Sequence, residues 1–483
     1  MLHVNRSEQN HTRIKIVLLG TLLGSIVVGV SVTSMPVHYA TYLMLLIPVL
    51  IVLLVDLHAS LVAIILCAFV LDGAVYYGIV PVIGLWTIDG LILMLTSRLL
   101  LTKSNRGGDK FLQSPQAVLL LLWLFVVVLS GVANSTPIIN IILGMRPYLR
   151  FAVLFYCLIA FSWDERFLGN CIRLATFLFL MQIPVQLVQR FMANLPPDLV
   201  TGTFGLAPGL ISLSALGFLG GLAWYASATR RTRYWVAAVA CFMVPALSGS
   251  RAFFFVLPLV TLYVLVRILG RRRSWGVLLL TMALAFVIIK WDNLQGVASF
   301  GSRTYSPLDM LKDPTYVFQE LRSPGYVEGG RLYPGRFEAI RLTMQLLSSS
   351  ATGITLWLGL GPGIAQGSRF AVLNLPQSLD LTWYGSRASQ LTLSLVEWGI
   401  LGVLLYSALY LLYWLMAKRT FRRESDPFWK AVAFGYGIFV LVSIFGVAYS
   451  TPWGGTITAF MFWFVGGVLQ RIYWRQDRED LGS

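Results

Sequence analysis

The sequence predicts an all-α polytopic membrane protein of about fourteen transmembrane helices, with one large, partly helical extracytoplasmic loop. Three observations carry this expectation. Hydrophobic residues make up 57% of the 483 and charged residues only 12%, against about 25% charged in a soluble globular chain. The mean hydropathy is +0.74. Apolar runs long enough to cross a bilayer recur along the chain, separated late in the sequence by one long polar interruption, 292–387. A length prior of several soluble domains does not apply, because the spans form one helical body.

In chain order the runs are 14–33, 40–56, 58–77, 79–101, 116–133, 146–163, 167–190, 206–228, 234–249, 251–270, 275–291, 388–416, 430–449 and 455–473. The first contains Lys15 and lacks a small-residue cleavage site, so it reads as a retained span. The runs within 40–101 are short and close together, leaving room for one span fewer or a re-entrant piece. The chain thus divides into 1–291 (spans one to eleven), the loop 292–387, 388–473 (spans twelve to fourteen) and a polar cytoplasmic tail, 474–483. Cys67, Cys157, Cys171 and Cys241 sit singly in apolar stretches and read as buried free thiols.

The formal net charge of +16 would raise nucleic-acid binding in a soluble chain. Here the basic residues cluster between spans. Arg98, Lys103, Arg106 and Lys110 form one group, Arg230, Arg231 and Arg233 a second, and Arg271, Arg272 and Arg273 a third. Lys418, Arg419, Arg422 and Arg423 form a fourth, and Arg471, Arg475 and Arg478 close the chain. With fourteen spans all five fall on one side, together with the N-terminus, which predicts cytoplasmic termini and an extracytoplasmic 292–387 loop. Shorter outside stretches are expected at 134–147, 191–205 and 246–251.

The loop is biased towards arginine: Arg303, Arg322, Arg331, Arg336, Arg341, Arg369 and Arg387, against a single lysine, Lys312. A guanidinium keeps its charge and presents a planar fork of donors that fits phosphate and carboxylate, so an anionic substrate is expected. Residues 334–347 open on a proline and continue as a partly amphipathic pattern, predicting a short surface helix. The glycines of 359–363 predict a turn with close backbone packing.

Arg251 follows Ser250 at the start of an apolar run, where a snorkelling anchor and a functional arginine both remain open. Arg146 and Arg150 are expected near another outer junction, as ligand arginines or as partners of a carboxylate. The loop contains no histidine, so it forms no His-assisted nucleophile or His-ligated metal site, and no P-loop or dinucleotide fingerprint occurs. A general base would come from the loop carboxylates, of which Glu338 and Asp380 flank the arginine-rich part. No cofactor or metal is expected.

The stretches MRPYLRFAVLFYCL, VTGTFG, LSGSRAFFF, PGRFEAIRLTMQLL, LGLGPG and LVEWGILGVLLY occur in that order over about residues 140–410. As an ordered set they resemble the O-antigen ligase and polysaccharide polymerase superfamily of bacteria. The resemblance implies a many-helix bundle in the cytoplasmic (inner) membrane with a large periplasmic loop. It also implies a donor glycan on an undecaprenyl pyrophosphate carrier, transferred en bloc. Arg251 and Arg336 match the superfamily's arginines for pyrophosphate or sugar, with Arg331 the alternative register for the second. Arg341, Arg387, Arg146, Arg150 and Ser250 join them as expected substrate-binding residues. Where the ligases carry a histidine upstream of the glutamate matching Glu397, this chain has Ala388 followed by Ser389. That departure favours the polymerase branch over transfer to a lipid A core. The expected activity is a metal-independent glycosyltransferase joining one lipid-linked repeat to a sugar hydroxyl of another. The alternatives are a ligase with a different base and a flippase or transporter of lipid-linked oligosaccharide. Expected partners are the lipid-linked glycan, membrane lipids, and the flippase and chain-length regulator of such a system, but no nucleic acid.

Overall fold

A computed structural model describes residues 56–102, 112, 114–193, 200–205, 208–248, 326–328, 331–333, 336–349, 353–365, 389–448, 451, 453 and 455–482. Its described elements are α1 (Leu57–Tyr76), α2 (Thr87–Thr102), α3 (Pro115–Ala133), α4 (Ile138–Ala160), α5 (Glu165–Met192), α6 (Pro208–Thr229) and α7 (Thr232–Leu247). A two-stranded antiparallel hairpin follows, β1 (Tyr326–Glu328) with β2 (Arg331–Tyr333), then α8 (Arg336–Ser348) and α9 (Ile354–Leu358). The chain closes with α10 (Gln390–Arg423), α11 (Pro427–Gly446) and α12 (Thr456–Gly482). Among the described residues, α1, α3, α4, α5, α6, α10 and α11 are long and apolar enough to cross a membrane. The chain is a predominantly helical membrane protein. The predicted runs 14–33, 251–270 and 275–291, and the run 40–56 up to residue 55, lie outside the described residues.

Helix starts follow local chemistry. Asp56 accepts from the N–H groups of His58 and Ala59 ahead of α1, and Asp426 accepts from Phe428 N–H ahead of α11. Ser114 and Ser389 cap α3 and α10 in the same way. Each cap satisfies a donor that the first turn leaves without an intrahelical acceptor. Pro115 and Pro427 then occupy the first helical position, where a missing N–H costs nothing.

Side-chain contacts sort the helix ends into two sets. His58, at the start of α1, meets Trp163 and Phe167 edge-on at the α4–α5 turn. Arg475 of α12 pairs with Glu165 and Glu424, each at 2.7 Å, and Arg471 donates to the carbonyls of Leu158, Phe161 and Trp163. Tyr225, near the end of α6, meets Phe428 at the start of α11. The described basic clusters therefore gather at one end, called here the basic end. The α3–α4 turn, α9, the 200–205 segment and the start of α10 lie at the other, the loop end.

Two mechanisms hold the helices together. Gly217 and Gly221, four apart on α6, meet Gly435 of α11, so that a Cβ on Gly435 would lie 2.5 Å from the Gly217 carbonyl oxygen. Small residues at such a spacing let helices approach closely where water supplies no driving force. Deeper in, Trp123, Tyr148, Trp398, Tyr406 and Trp453 pack ring on ring, and all five are almost wholly buried.

Two expected outside stretches are folded differently. The stretch 134–147 is not a loop: α4 begins at Ile138 and runs through Pro147. The polar Asn140, Arg146 and Pro147 depress local hydropathy, yet the helix continues through them, with Arg146 held by Asp89 and the Leu85 carbonyl. Within 191–205, α5 continues to Met192 through a π-helical turn, and Val200, Thr201, Gly202 and Phe204 return to buried positions. Three glutamines on one face of α5 hold that return. Gln182 accepts from Thr203 N–H at 2.7 Å, and Gln186 donates to the Val200 carbonyl. Gln189 bonds both the N–H and the carbonyl of Gly202 at 2.8 Å.

Gly435→Val forces α6 and α11 apart, and the expected loss is about 1–3 kcal/mol, as for other overpacked cores. Thermal unfolding in detergent checks this. Gly90→Ala is the control, because nothing lies within 4 Å of a Cβ there, and it does not lower the midpoint.

Candidate functional site: an arginine cleft beneath a docked loop

The loop end is organised by a break in α10. Gly399 has φ 65° and ψ −171°, which interrupts the helix and releases the preceding carbonyls from their intrahelical partners. The glycine-rich turn after α9 takes them up: Leu360 N–H donates to the Val396 carbonyl at 2.7 Å, and Gly361 N–H to that of Glu397 at 3.1 Å. Ser130 Oγ donates to the Glu397 carbonyl as well. Asn134 and Thr136 of the α3–α4 turn donate to the carbonyls of Gly359 and Leu360. The predicted close-packed turn is therefore present, clamped between α3 and α10. It also rests on α4, where a Cβ on Gly144 would lie 2.2 Å from the Gly363 nitrogen.

Half a turn beyond Gly144, α4 carries Arg146, and one turn later Arg150. The four-residue spacing sets both on one face. At the helical rise they lie about 12 and 18 Å from the start of α4, well inside the bundle. This corrects their expected place at a junction. Arg146 binds Asp89 through Nε at 3.1 Å and Nη2 at 2.5 Å, and donates to the Leu85 carbonyl. Its guanidinium carbon sits 3.9 Å from the Trp86 ring centroid. Arg150 donates through Nη2 to Thr456 Oγ1 at 2.7 Å and lies over the Phe151 ring, while its buried Nε has no hydrogen-bond partner among the described residues. Asp72 and Asp89 both act on Arg150 electrostatically.

These groups are deep but not sealed. The side chains of Arg146 and Asp89 retain 14% and 22% exposure, and Asp72, Arg150 and Thr456 are also partly accessible. They gather into one polar cluster where α1, α2, α4 and α12 meet. Charges inside a membrane protein pair with one another and mark substrate pathways. The cluster can hold an anion against Arg150, whose fork retains donor capacity. Arg146, neutralised by Asp89, fixes the local geometry. Tyr77 at the end of α1 receives a hydrogen bond from Gln189, beside the π-helical turn that carries Arg190, a distortion common near functional sites.

The sequence-predicted residues are distributed as follows. Arg146 and Arg150 come together on α4. Arg336 opens α8 and is half-buried. Glu338 and Arg341 pair within α8, and the Arg341 hydrogen bonds hold the Glu338 carboxyl below the ordinary carboxylate range. The pair's contribution is thus complete above the ordinary range and is lost as pH falls through the lowered value. A carboxylate held this way is a weaker base than a free one. Arg331 lies on β2, hydrogen-bonded strand to strand opposite Glu328. Ser250, Arg251, Asp380 and Arg387 lie outside the described residues. Sequence reasoning missed Asp72, Asp89 and Thr456. For the aspartates the signal was available, since each is the one acidic residue within its apolar run. Thr456 carried none.

No family model and no curated protein matches this chain.

Asp89→Asn leaves Arg146 without its counter-charge in a poorly solvated place. The expected destabilisation is about 1–3 kcal/mol, below the ~3–5 kcal/mol of a fully buried pair because water reaches part of this one. Unfolding midpoints check it. The double variant Asp89→Asn/Arg146→Gln recovers part of the loss, as interacting residues do.

Proposed function

We propose that this protein polymerises lipid-linked oligosaccharide repeat units, moving a growing glycan from undecaprenyl pyrophosphate to a sugar hydroxyl of another lipid-linked repeat. The observation that carries this reading is the cluster of Arg146, Arg150, Asp72, Asp89 and Thr456 inside the bundle. It sits within the apolar bundle towards the end where the loop docks, with Arg150 bound to a hydroxyl and its Nε without a hydrogen-bond partner among the described residues. A lipid pyrophosphate brings its anion to that depth while its tail stays in hydrocarbon. The ordered motifs of the sequence and the absence of the ligase histidine support the same reading.

In this proposal the acceptor hydroxyl attacks the anomeric carbon of the donor. The C–O bond to pyrophosphate breaks, and its electron pair passes to the leaving oxygen. The hydroxyl proton goes to a carboxylate, for which Asp380 and Glu338 are the candidates, Glu338 weakened by Arg341. Guanidinium groups fixed in a poorly solvated site stabilise the developing charge. Arg150, Arg251 and Arg336 are assigned to the pyrophosphate, and Arg331 and Arg387 to substrate contact. A single displacement inverts the anomeric centre. The gathering of the described basic clusters at one end supports cytoplasmic termini in an inner membrane, with the arginine site towards the extracytoplasmic side.

The test is reconstitution with purified lipid-linked repeats. Polymer is expected from the wild type. Arg150→Ala, Arg251→Ala and Arg336→Ala are each expected to lower the rate about 10²–10³-fold with protein retained in the membrane. Wild-type chain length in all three sinks the assignment. Deleting the protein in cells is expected to accumulate single lipid-linked repeats. Accumulation of full polymer on its carrier would instead identify a ligase, and transbilayer movement without chain growth a flippase.

A further inference from the structure

A groove of about 390 Å³ lies at the basic end between α6, α10 and α11, far from the arginine cluster. Its volume is that of a small-ligand pocket. Its walls are Trp224 of α6, Trp414 and Phe421 of α10, and Phe434, Gly437 and Leu441 of α11. Trp224 meets Phe421 edge-on, and Phe421 meets Phe434. Gly437 contributes no side chain, which deepens the groove along α11. Lys418 and Arg422 complete the lining on α10. Their four-residue spacing sets both charges on one face.

The charges at this end are divided. Arg475 is neutralised by Glu165 and Glu424, and the donors of Arg471 are taken up by three backbone carbonyls. Glu424 is taken by Arg475 and Gln476, and Asp426 by the cap of α11. Lys418 and Arg422 are exposed, and neither has an ion-pair partner among the described residues. Lys418 Nζ lies 5.1 Å from the Trp414 ring centroid, so the charge stands over the aromatic wall.

A groove with an aromatic and aliphatic floor, two uncompensated cations at one mouth and a position at the end of membrane-crossing helices matches one kind of molecule. We propose that it binds one anionic glycerophospholipid, its phosphate between Lys418 and Arg422 and an acyl chain along Trp224, Phe434, Gly437 and Leu441. Basic pockets between transmembrane helices hold acidic head groups in this way. A zwitterionic lipid satisfies the same walls but carries its own cation, so the two basic residues discriminate by charge.

Native mass spectrometry of the purified full-length protein, titrated with phosphatidylglycerol or phosphatidylcholine, tests this. Phosphatidylglycerol is expected to bind more tightly, and each of Lys418→Gln and Arg422→Gln to weaken it about fivefold while leaving phosphatidylcholine binding unchanged. Gly437→Leu fills the groove with the charges intact and is expected to lower phosphatidylglycerol binding too. It serves as the second variant if the first pair is poorly folded. Equal binding of the two lipids overturns the proposal, as does unchanged phosphatidylglycerol binding in the variants. Full competition by soluble glycerol phosphate also overturns it, because that identifies a free-phosphate site.

Discussion

Backbone groups in a membrane interior have no water to turn to, and the break in α10 is where this protein meets that constraint most directly. Gly399 frees the carbonyls of Val396 and Glu397, and the N–H groups of Leu360 and Gly361 receive them. The requirement ties the turn to α10, and the α3–α4 turn closes over it through Asn134 and Thr136. Because Gly363 also lies against Gly144, the loop is registered on the helix that carries Arg146 and Arg150. Loop and cluster are thus one mechanical unit. The close approaches at Gly359 and Gly399 leave no room for a larger residue: a Cβ on either would lie within 2.6 Å of backbone atoms of the other segment.

The cluster shows how a membrane protein keeps cations inside an apolar body. Arg146 is held by a carboxylate, a carbonyl and a ring face. Such an arrangement offsets desolvation and leaves little capacity for a ligand. Arg150 is held by a hydroxyl and a ring face, under the field of two aspartates further off. The contrast is chemical. A carboxylate partner makes an arginine structural, whereas a hydroxyl partner leaves its charge available. The glutamines of α5 do comparable work for neutral groups, returning the 200–205 segment into the bundle with its backbone hydrogen bonds satisfied.

Much of the architecture was legible along the chain. The runs at 58–77, 116–133, 388–416 and 430–449 became α1, α3, α10 and α11 because hydropathy and capping residues act locally. The helix read at 334–347 is α8, and the close turn read at 359–363 is present. The start of α4 was not legible. Asn140 and Arg146 read as surface residues until their neighbours are known, and those neighbours lie in the glycine turn and on α2. Of the site, the arginines were visible as residue types, but the distinction between Arg146, Arg150 and Arg341 was not, since it rests on which neighbour each meets.

Composition, apolar run length and the spacing of basic clusters determined by themselves that this is a helical membrane protein with its described basic clusters gathered at one end. These properties follow from transfer free energies that each segment feels alone. Tertiary structure decided which arginine is neutralised and which keeps donor capacity, and which carbonyls of α10 require the loop. It also decided that Lys418 and Arg422 face an apolar groove while Arg475 faces carboxylates. The physical reason is that a charge or an unpaired carbonyl in a low-dielectric body takes its meaning from groups within a few ångströms. Those groups come from helices far apart in sequence, as Thr456 beside Arg150 shows.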